Sequence, residues 1–438
     1  MANHGKHLAV HPDPGVGSFD DDIHRAETLF YRAKRLDEKN GHATSGAQQT
    51  HGGHVDDEGF TARVPINPVL HRGPRIDMET GEPGKQQQWT VVPDTGSAFT
   101  WVGAKPPKTH KDSGHPQTSK FKGTKNVKLE YGTGDCEVDI VDDKVVIGLS
   151  SAANAHIEIP SQTLGAMTKS SPHFNEMDGI LGIGDASLTD DLTDKGEIPT
   201  VIDNYFKANP TLPKKHLGIY FCPVDLNKGH ITIGDSEEYD HAHPTASILR
   251  SPIHWVPRAT KYPAKYYHGL DLQVSYDNIP LGKAAVATGA TPKFDKLTGI
   301  TDTGTTGILM HNDIVKAYLK NFGFSQDQAT GYYIVTDAVY ATMKSLFFHL
   351  LDASGTEIAK LEFVPNAQVM CKSRQSMIAG HKTGHRYLLM KDFHNKFPGL
   401  DFLLGYSFLQ RFYTVIDHSK SPHPLGFAET EHTHDSIH

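Results

Sequence analysis

Two tetrapeptides hold the residues best suited to chemistry. They are Asp94-Thr95-Gly96-Ser97 within VVPDTGSAFTWV and Asp302-Thr303-Gly304-Thr305 within GITDTGTTGILM. Each follows a strand-like run and sets a hydroxyl residue directly after its glycine. Each is followed, at similar spacing, by two apolar residues and a glycine: DGILG ending at Gly182, and DFLLG ending at Gly405. Such a repeat describes two lobes built on one plan, each supplying one carboxylate. An Asp at the end of a buried strand, followed by Thr and Gly, sits on a sharp turn that lets a second backbone approach. Two such turns facing each other would put both carboxylates in a poorly solvated cleft. Like charges that close cannot both ionise, so the pair would titrate as a unit and hold a water. The ionised member can then take a proton from that water while the protonated one polarises a carbonyl.

The elements that must position these groups are mostly strands. After Phe60 the chain reads as short β-like runs broken by turn residues, among them QWTVV, AFTWV, NVKLEYG, DKVVIGL, HLGIYF, HITIGD and DLQVSY. Helical patterns are few: IPTVIDNYFKAN, NDIVKAYLKNFG and DAVYATMKSLFFHLL. With 26 prolines this argues for a mainly β fold of sandwich or barrel type. Residues 1–55 differ, being rich in His, Gly, Asp and Lys. Their one helical island runs from Asp20 to Leu36, with Ile23, Ala26, Leu29, Phe30 and Ala33 on one face. It reads most simply as a surface helix. The polar, glycine-rich stretch from Ala43 to Glu58 reads as a linker.

Composition narrows the function classes. The 438 residues suggest roughly two to three domains. Apolar residues are 37%, enough for a sizeable core. A formal net charge of −8 offers no electrostatic footprint for nucleic acid or an anionic membrane. No apolar run approaches the ~20 residues of a membrane span, and the N-terminal residues lack the apolar core of a signal peptide. Cys136, Cys222 and Cys371 permit at most one internal disulfide, and no N-glycosylation sequon is present. The 28 histidines include no His-Glu-x-x-His, so neither a metal nor a cofactor is expected. The Gly-Thr-Gly and Gly-Ile-Leu-Gly-Ile-Gly runs do not have nucleotide-loop spacing. Cys136 reads as a small strand residue rather than a nucleophile.

The chain resembles the pepsin-type (family A1) aspartic proteases, in particular the polyporopepsin-like acid proteases of basidiomycete fungi. The resemblance rests on WTVVPDTGSAFTWVGA, LEYGTG, DGILGIG, EIPTVIDNYF, GITDTGTTGILM, YATMKSLFF and GLDFLLGYSFLQRFYTVID. It implies a bilobal fold, two β-barrel-like lobes with a catalytic cleft between them. The implied divisions are an N-terminal extension over 1–55, propeptide-like and able to block the cleft, lobes over 56–248 and 249–430, and a polar tail over 431–438. It implies an aspartic endopeptidase with Asp94 and Asp302 as catalytic groups. Ser97 and Thr305 would bond the outer carboxylate oxygens, and Thr95 and Thr303 would tie the two loops together. A flap would carry Tyr131, Gly132, Thr133 and Gly134, with Trp101 supporting the tyrosine. Ile180 would line the primary specificity pocket. Gly96, Gly304, Thr305 and Thr306 would contact substrate.

Protein and peptide substrates, a monomer and binding of pepstatin-type inhibitors follow from the same resemblance; the family is usually secreted or vacuolar, but without a signal-peptide pattern the location of this chain stays open. Phe99, Tyr131, Ile180 and Ile308 are expected as apolar walls beside the dyad. The expected pH optimum is about 3 to 5.5, with activity gone by about pH 7. Several residues depart from the family pattern: Pro93 before the first Asp, Phe99, Asp135 and Cys136 after the flap, and Tyr406 after the second apolar-apolar-Gly. A catalytically impaired peptide- or protein-binding relative is the alternative reading.

Overall fold

A computed structural model describes residues 19–40, 62–69 and 73–436, less 104–118, 132–133, 153–154, 172–173, 175–177, 195, 224–225, 227–228, 284–292, 371–380, 382–383 and 395. Strands dominate. The largest sheet has 14 strands and is built chiefly from the first half of the chain. Its motif strand, Gln87–Asp94, is flanked by Gly73–Thr80 running antiparallel and by Gly179–Gly182 running parallel. The second half forms an eight-stranded sheet and a smaller four-stranded one. There the strand Leu297–Thr301 has Gly269–Tyr276 antiparallel on one side and Phe402–Leu404 parallel on the other. The motif strand and its apolar-apolar-Gly partner therefore recur in the same relation in both halves.

Strand formation follows side-chain type. Leu217 and Ile219 pair with Ile233 and Ile231 in a buried antiparallel ladder, where β-branched and apolar residues pack well. Trp89 is buried at the centre of the first half, and its indole N–H donates to Thr80 Oγ1 at 2.8 Å, so this large side chain leaves no orphan donor. Helix Val201–Ala208 begins with a reciprocal cap between Thr200 and Asp203.

One expected helix is corrected. DAVYATMKSLFFHLL forms only a single helical turn, Asp337–Tyr340, and Leu346–Leu351 is a strand between Gly269–Tyr276 and Glu357–Phe363. A short, nearly continuous apolar run has the same appearance in a buried helix and in a buried strand. Flanking strands decide it. Within the tail, residues 431–436 are polar, and one of them is anchored. Thr433 is buried and its hydroxyl donates to the Arg411 carbonyl at 2.6 Å.

The N-terminal island is a 22-residue helix, Phe19–Asn40, here called α1. Three aspartates open it and Lys34, Arg35 and Lys39 lie near its end, as the helix dipole favours. Ala26, Leu29, Ala33 and Leu36 are buried. Their neighbours are Ala98 and Leu188 from the first half and Ala264, Tyr266 and Tyr267 from the second. The helix is thus wedged between the halves, which corrects the reading of a surface helix. The linker read at 43–58 lies outside the described residues.

Candidate active site

Each motif ends a strand and turns sharply, and the turn builds a cradle for its own carboxylate. Ser97 Oγ donates to Asp94 Oδ2 at 2.5 Å, and the Gly96 N–H to Asp94 Oδ1 at 3.0 Å. In the other half, Thr305 Oγ1 donates to Asp302 Oδ2 at 2.6 Å, and the Gly304 N–H to Asp302 Oδ1 at 3.0 Å. The two cradles match atom for atom. A side chain at Gly96 would put its Cβ 2.6 Å from Asp302 Oδ1, and one at Gly304 would come as close to Asp94 Oδ1. Each motif glycine is therefore the space through which the other carboxylate approaches.

The loops are tied by a crossed pair of bonds. The Thr95 N–H donates to Thr303 Oγ1 at 2.9 Å, and the Thr303 N–H to Thr95 Oγ1 at 3.0 Å. Thr303 Oγ1 in turn donates a hydrogen bond to the Pro93 carbonyl at 2.7 Å. Pro93 does not break its strand. The antiparallel ladder with Gly73–Thr80 ends at Val91, and Pro93 and Asp94 pair in register with Leu181 and Gly182 on the parallel side.

The flap residue Tyr131 closes a hairpin between Val127–Tyr131 and Gly134–Ile147; Gly132 and Thr133 lie outside the described residues. The Trp101 indole N–H donates to the Tyr131 hydroxyl at 2.7 Å. Phe99, Tyr131 and Ile180 share one buried cluster with Phe174, whose ring meets both Trp101 and Tyr131 edge-on. Nothing in the sequence around Phe174 marks it. Ile308 does not belong to this wall. It is fully buried in the main core, in a strand beside Leu404 and Met390. Burial pushes the Cys136 thiol up to about 12, which keeps it protonated at neutral and acidic pH. Cys136 is a free thiol; Cys371 is outside the described residues. Among the described residues no cluster of three or more His, Cys, Asp or Glu could hold a metal.

A residue that sequence reasoning missed sits at the centre of the site. Arg25 of α1 reaches both carboxylates: Nη2 lies 2.6 Å from Asp94 Oδ1 and 3.2 Å from Asp302 Oδ1, and Nε lies 3.0 Å from Asp302 Oδ2. All three side chains are buried. Burial raises the Asp94 pKa, Arg25 acting against it and Asp302 with it. Burial also opposes ionisation of Asp302, but the charge and hydrogen bonds of Arg25 outweigh it and hold that carboxyl low. Asp22 accepts the N–H groups of Thr306 and Gly307 at 2.9 and 2.8 Å. Arg32 donates to the carbonyls of Gly96 and Glu130, and the Tyr267 hydroxyl donates to the Leu29 carbonyl at 2.6 Å. The one signal in the sequence was basic residues on an amphipathic helix.

Two lobes of strands, each presenting one Asp-Thr-Gly cradle to the other, define the class of bilobal aspartic proteinases. Residues 76–430 match the sequence model of eukaryotic aspartyl proteases. The chain belongs to that family. It is 31% identical over 368 residues to polyporopepsin of Irpex lacteus, covering 82% of this chain and 94% of that protein. Aspartic protease 1 of Caenorhabditis elegans is 25% identical over 93% of this chain and 94% of its own length. The crystal structure of the aspartic proteinase from Irpex lacteus superposes with a TM-score of 0.69 at 29% identity, over 86% of this chain and all of that one.

Proposed function

We propose that the chain is an aspartic endopeptidase that hydrolyses peptide bonds at acidic pH through a water activated by Asp94 and Asp302. The supporting observation is the matched pair of carboxylate cradles, both reached by a single guanidinium nitrogen. With Arg25 withdrawn, the pair has no cation and one member takes up a proton. Water between them then loses a proton to the ionised carboxylate and attacks the peptide carbon. The protonated carboxyl hydrogen-bonds the carbonyl oxygen as negative charge develops there. No covalent intermediate forms. Tyr131, Gly132 and Thr133 cover the bound peptide, Ile180 and Phe99 offer apolar walls, and Thr305, Thr306 and the motif glycines meet its backbone. Hydrophobic side chains flanking the scissile bond suit such walls.

The same reading makes residues 1–55 a propeptide-like extension, 56–248 and 249–430 the two lobes and 431–438 a polar tail, all in a monomer. Helix α1 then plugs the cleft of this form, since Arg25 occupies the place of the attacking water. Acid proteolysis of denatured globin by the processed chain, with and without pepstatin, is the test. Asp94→Asn and Asp302→Asn should each lower kcat by at least about a thousandfold. Pepstatin binding without turnover would favour the alternative, a peptide-binding relative.

A further inference from the structure

A second group of titratable side chains lies buried away from the dyad. His268 and Arg258 come from the second half, beside the strand Gly269–Tyr276; His418 and His423 follow the strand Phe412–Asp417. His268 is fully buried. Among the described residues its Nδ1 has no hydrogen-bond partner, nor has either ring nitrogen of His418, nor Nδ1 of His423. The His418 and His423 rings are 4.4 Å apart. Two carboxylates face this group: Asp185, bound by Arg258 Nη1 at 2.5 Å, and Asp203, whose Oδ1 lies 3.6 Å from His418 Nδ1. Four basic groups therefore share two acids.

His268 also stands between the two motif loops. Its Nε2 lies 3.4 Å from the Ile183 carbonyl of the first lobe, and the Ile183 N–H donates to the Asp94 carbonyl at 3.0 Å. On its own side, the His268 carbonyl accepts the N–H and the hydroxyl of Thr301, the residue before Asp302. We propose that His268 is a positioning residue for the dyad, and that charging of His268 and His423 ends activity on the acid side by prising the lobes apart at Ile183.

The electrostatics run in the required direction. Burial, then Arg258 and the other two imidazoles, push His268 down to about 3, with Asp185 opposing. Burial and His418 push His423 down to about 4, against Asp185 and Asp203. Both values lie below the ordinary imidazole value of about 6.5, so the native state binds fewer protons than the unfolded one in between. The stability these groups contribute is complete above about pH 6.5. It is lost as pH falls towards 3 to 4.

His268→Gln keeps an N–H able to reach Ile183 and cannot charge. Its acid limb of kcat should move down by about one pH unit while the alkaline limb stays put. The kinetic arm rests on the peptidase reading above; a second arm does not. The melting temperature of the full chain, followed from pH 6.5 to 3, should fall less steeply in His268→Gln and in His423→Gln than in wild type, whether or not the chain cleaves peptides. His423 makes no contact with the dyad, so it decides the matter should His268→Gln fail to fold. Wild-type pH slopes in the folded variants would overturn the proposal.

Discussion

Thr303 concentrates several demands in one hydroxyl. Its Oγ1 accepts the Thr95 N–H and donates to the Pro93 carbonyl, all in buried surroundings. Thr303→Val keeps the shape and removes both bonds, leaving a donor and an acceptor unsatisfied at about 1–3 kcal/mol each. Urea unfolding should show that loss, and kcat should fall with KM little changed, because the bonds orient the carboxylates rather than the substrate. This residue's type and place were legible from the repeat, as were Asp94, Asp302, Ser97 and Thr305. Arg25 was not. Its partners lie 69 and 277 residues away in the chain, and no local pattern records which residue of a basic helix will face an acid so distant.

At the scale of elements, α1 and the apolar-apolar-Gly strands carry the consequences. Helix α1 buries an apolar stripe and sets Arg25 over two carboxylates that would otherwise be unpaired. Removing one partner of a buried ionic group costs about 3–5 kcal/mol. Arg25→Met should therefore loosen the helix and raise cleavage of a fluorogenic peptide by the unprocessed chain at pH 5 at least about tenfold. A rate equal to wild type would show that Arg25 does not hold the plug.

Acid should act in the same sense. Asp302 is held low once Arg25 outweighs its burial, and a hydrogen bond from Lys265 lowers Asp37. Carboxyls lowered in the docked state contribute fully above the ordinary value of about 4, and that contribution fades as pH drops through their docked values. Limited proteolysis of α1 should accordingly quicken below about pH 4. The helix's existence was legible from its 3.6-residue period, but its burial was not, because period reports a sticky face and not what covers it. Gly182 and Gly405 show the reverse case. A Cβ at Gly182 would meet the Ala98 carbonyl carbon at 2.4 Å, and one at Gly405 the Gly307 oxygen at 2.3 Å. Both obstacles are backbone, so Gly182→Ala and Gly405→Ala should each cost about 1–3 kcal/mol, read as a lower urea midpoint.

For the whole molecule, the twofold plan was readable because two motifs recurred in order, and the mainly β class because turn residues punctuated short apolar runs. What joins the halves was not readable. The strand Phe412–Asp417 pairs with His216–Phe221 on one side and Leu425–Glu429 on the other, and His254–Val256 pairs with Leu425–Glu429. The pairings made by His216–Phe221 and His254–Val256 are of high sequence separation, which leaves no periodic trace.

That closing of the large sheet by late strands bears on synthesis. While a ribosome is still making the second half, His216–Phe221 has its partner Gly229–Gly234 on one side and a bare row of backbone donors and acceptors on the other. An open, apolar edge of this kind is a template for pairing with another nascent chain. The first half must wait, exposed, for the last strands to emerge, and contacts of such long range form slowly. Yield during expression should therefore depend on chaperone supply and temperature more than on the stability of the finished protein.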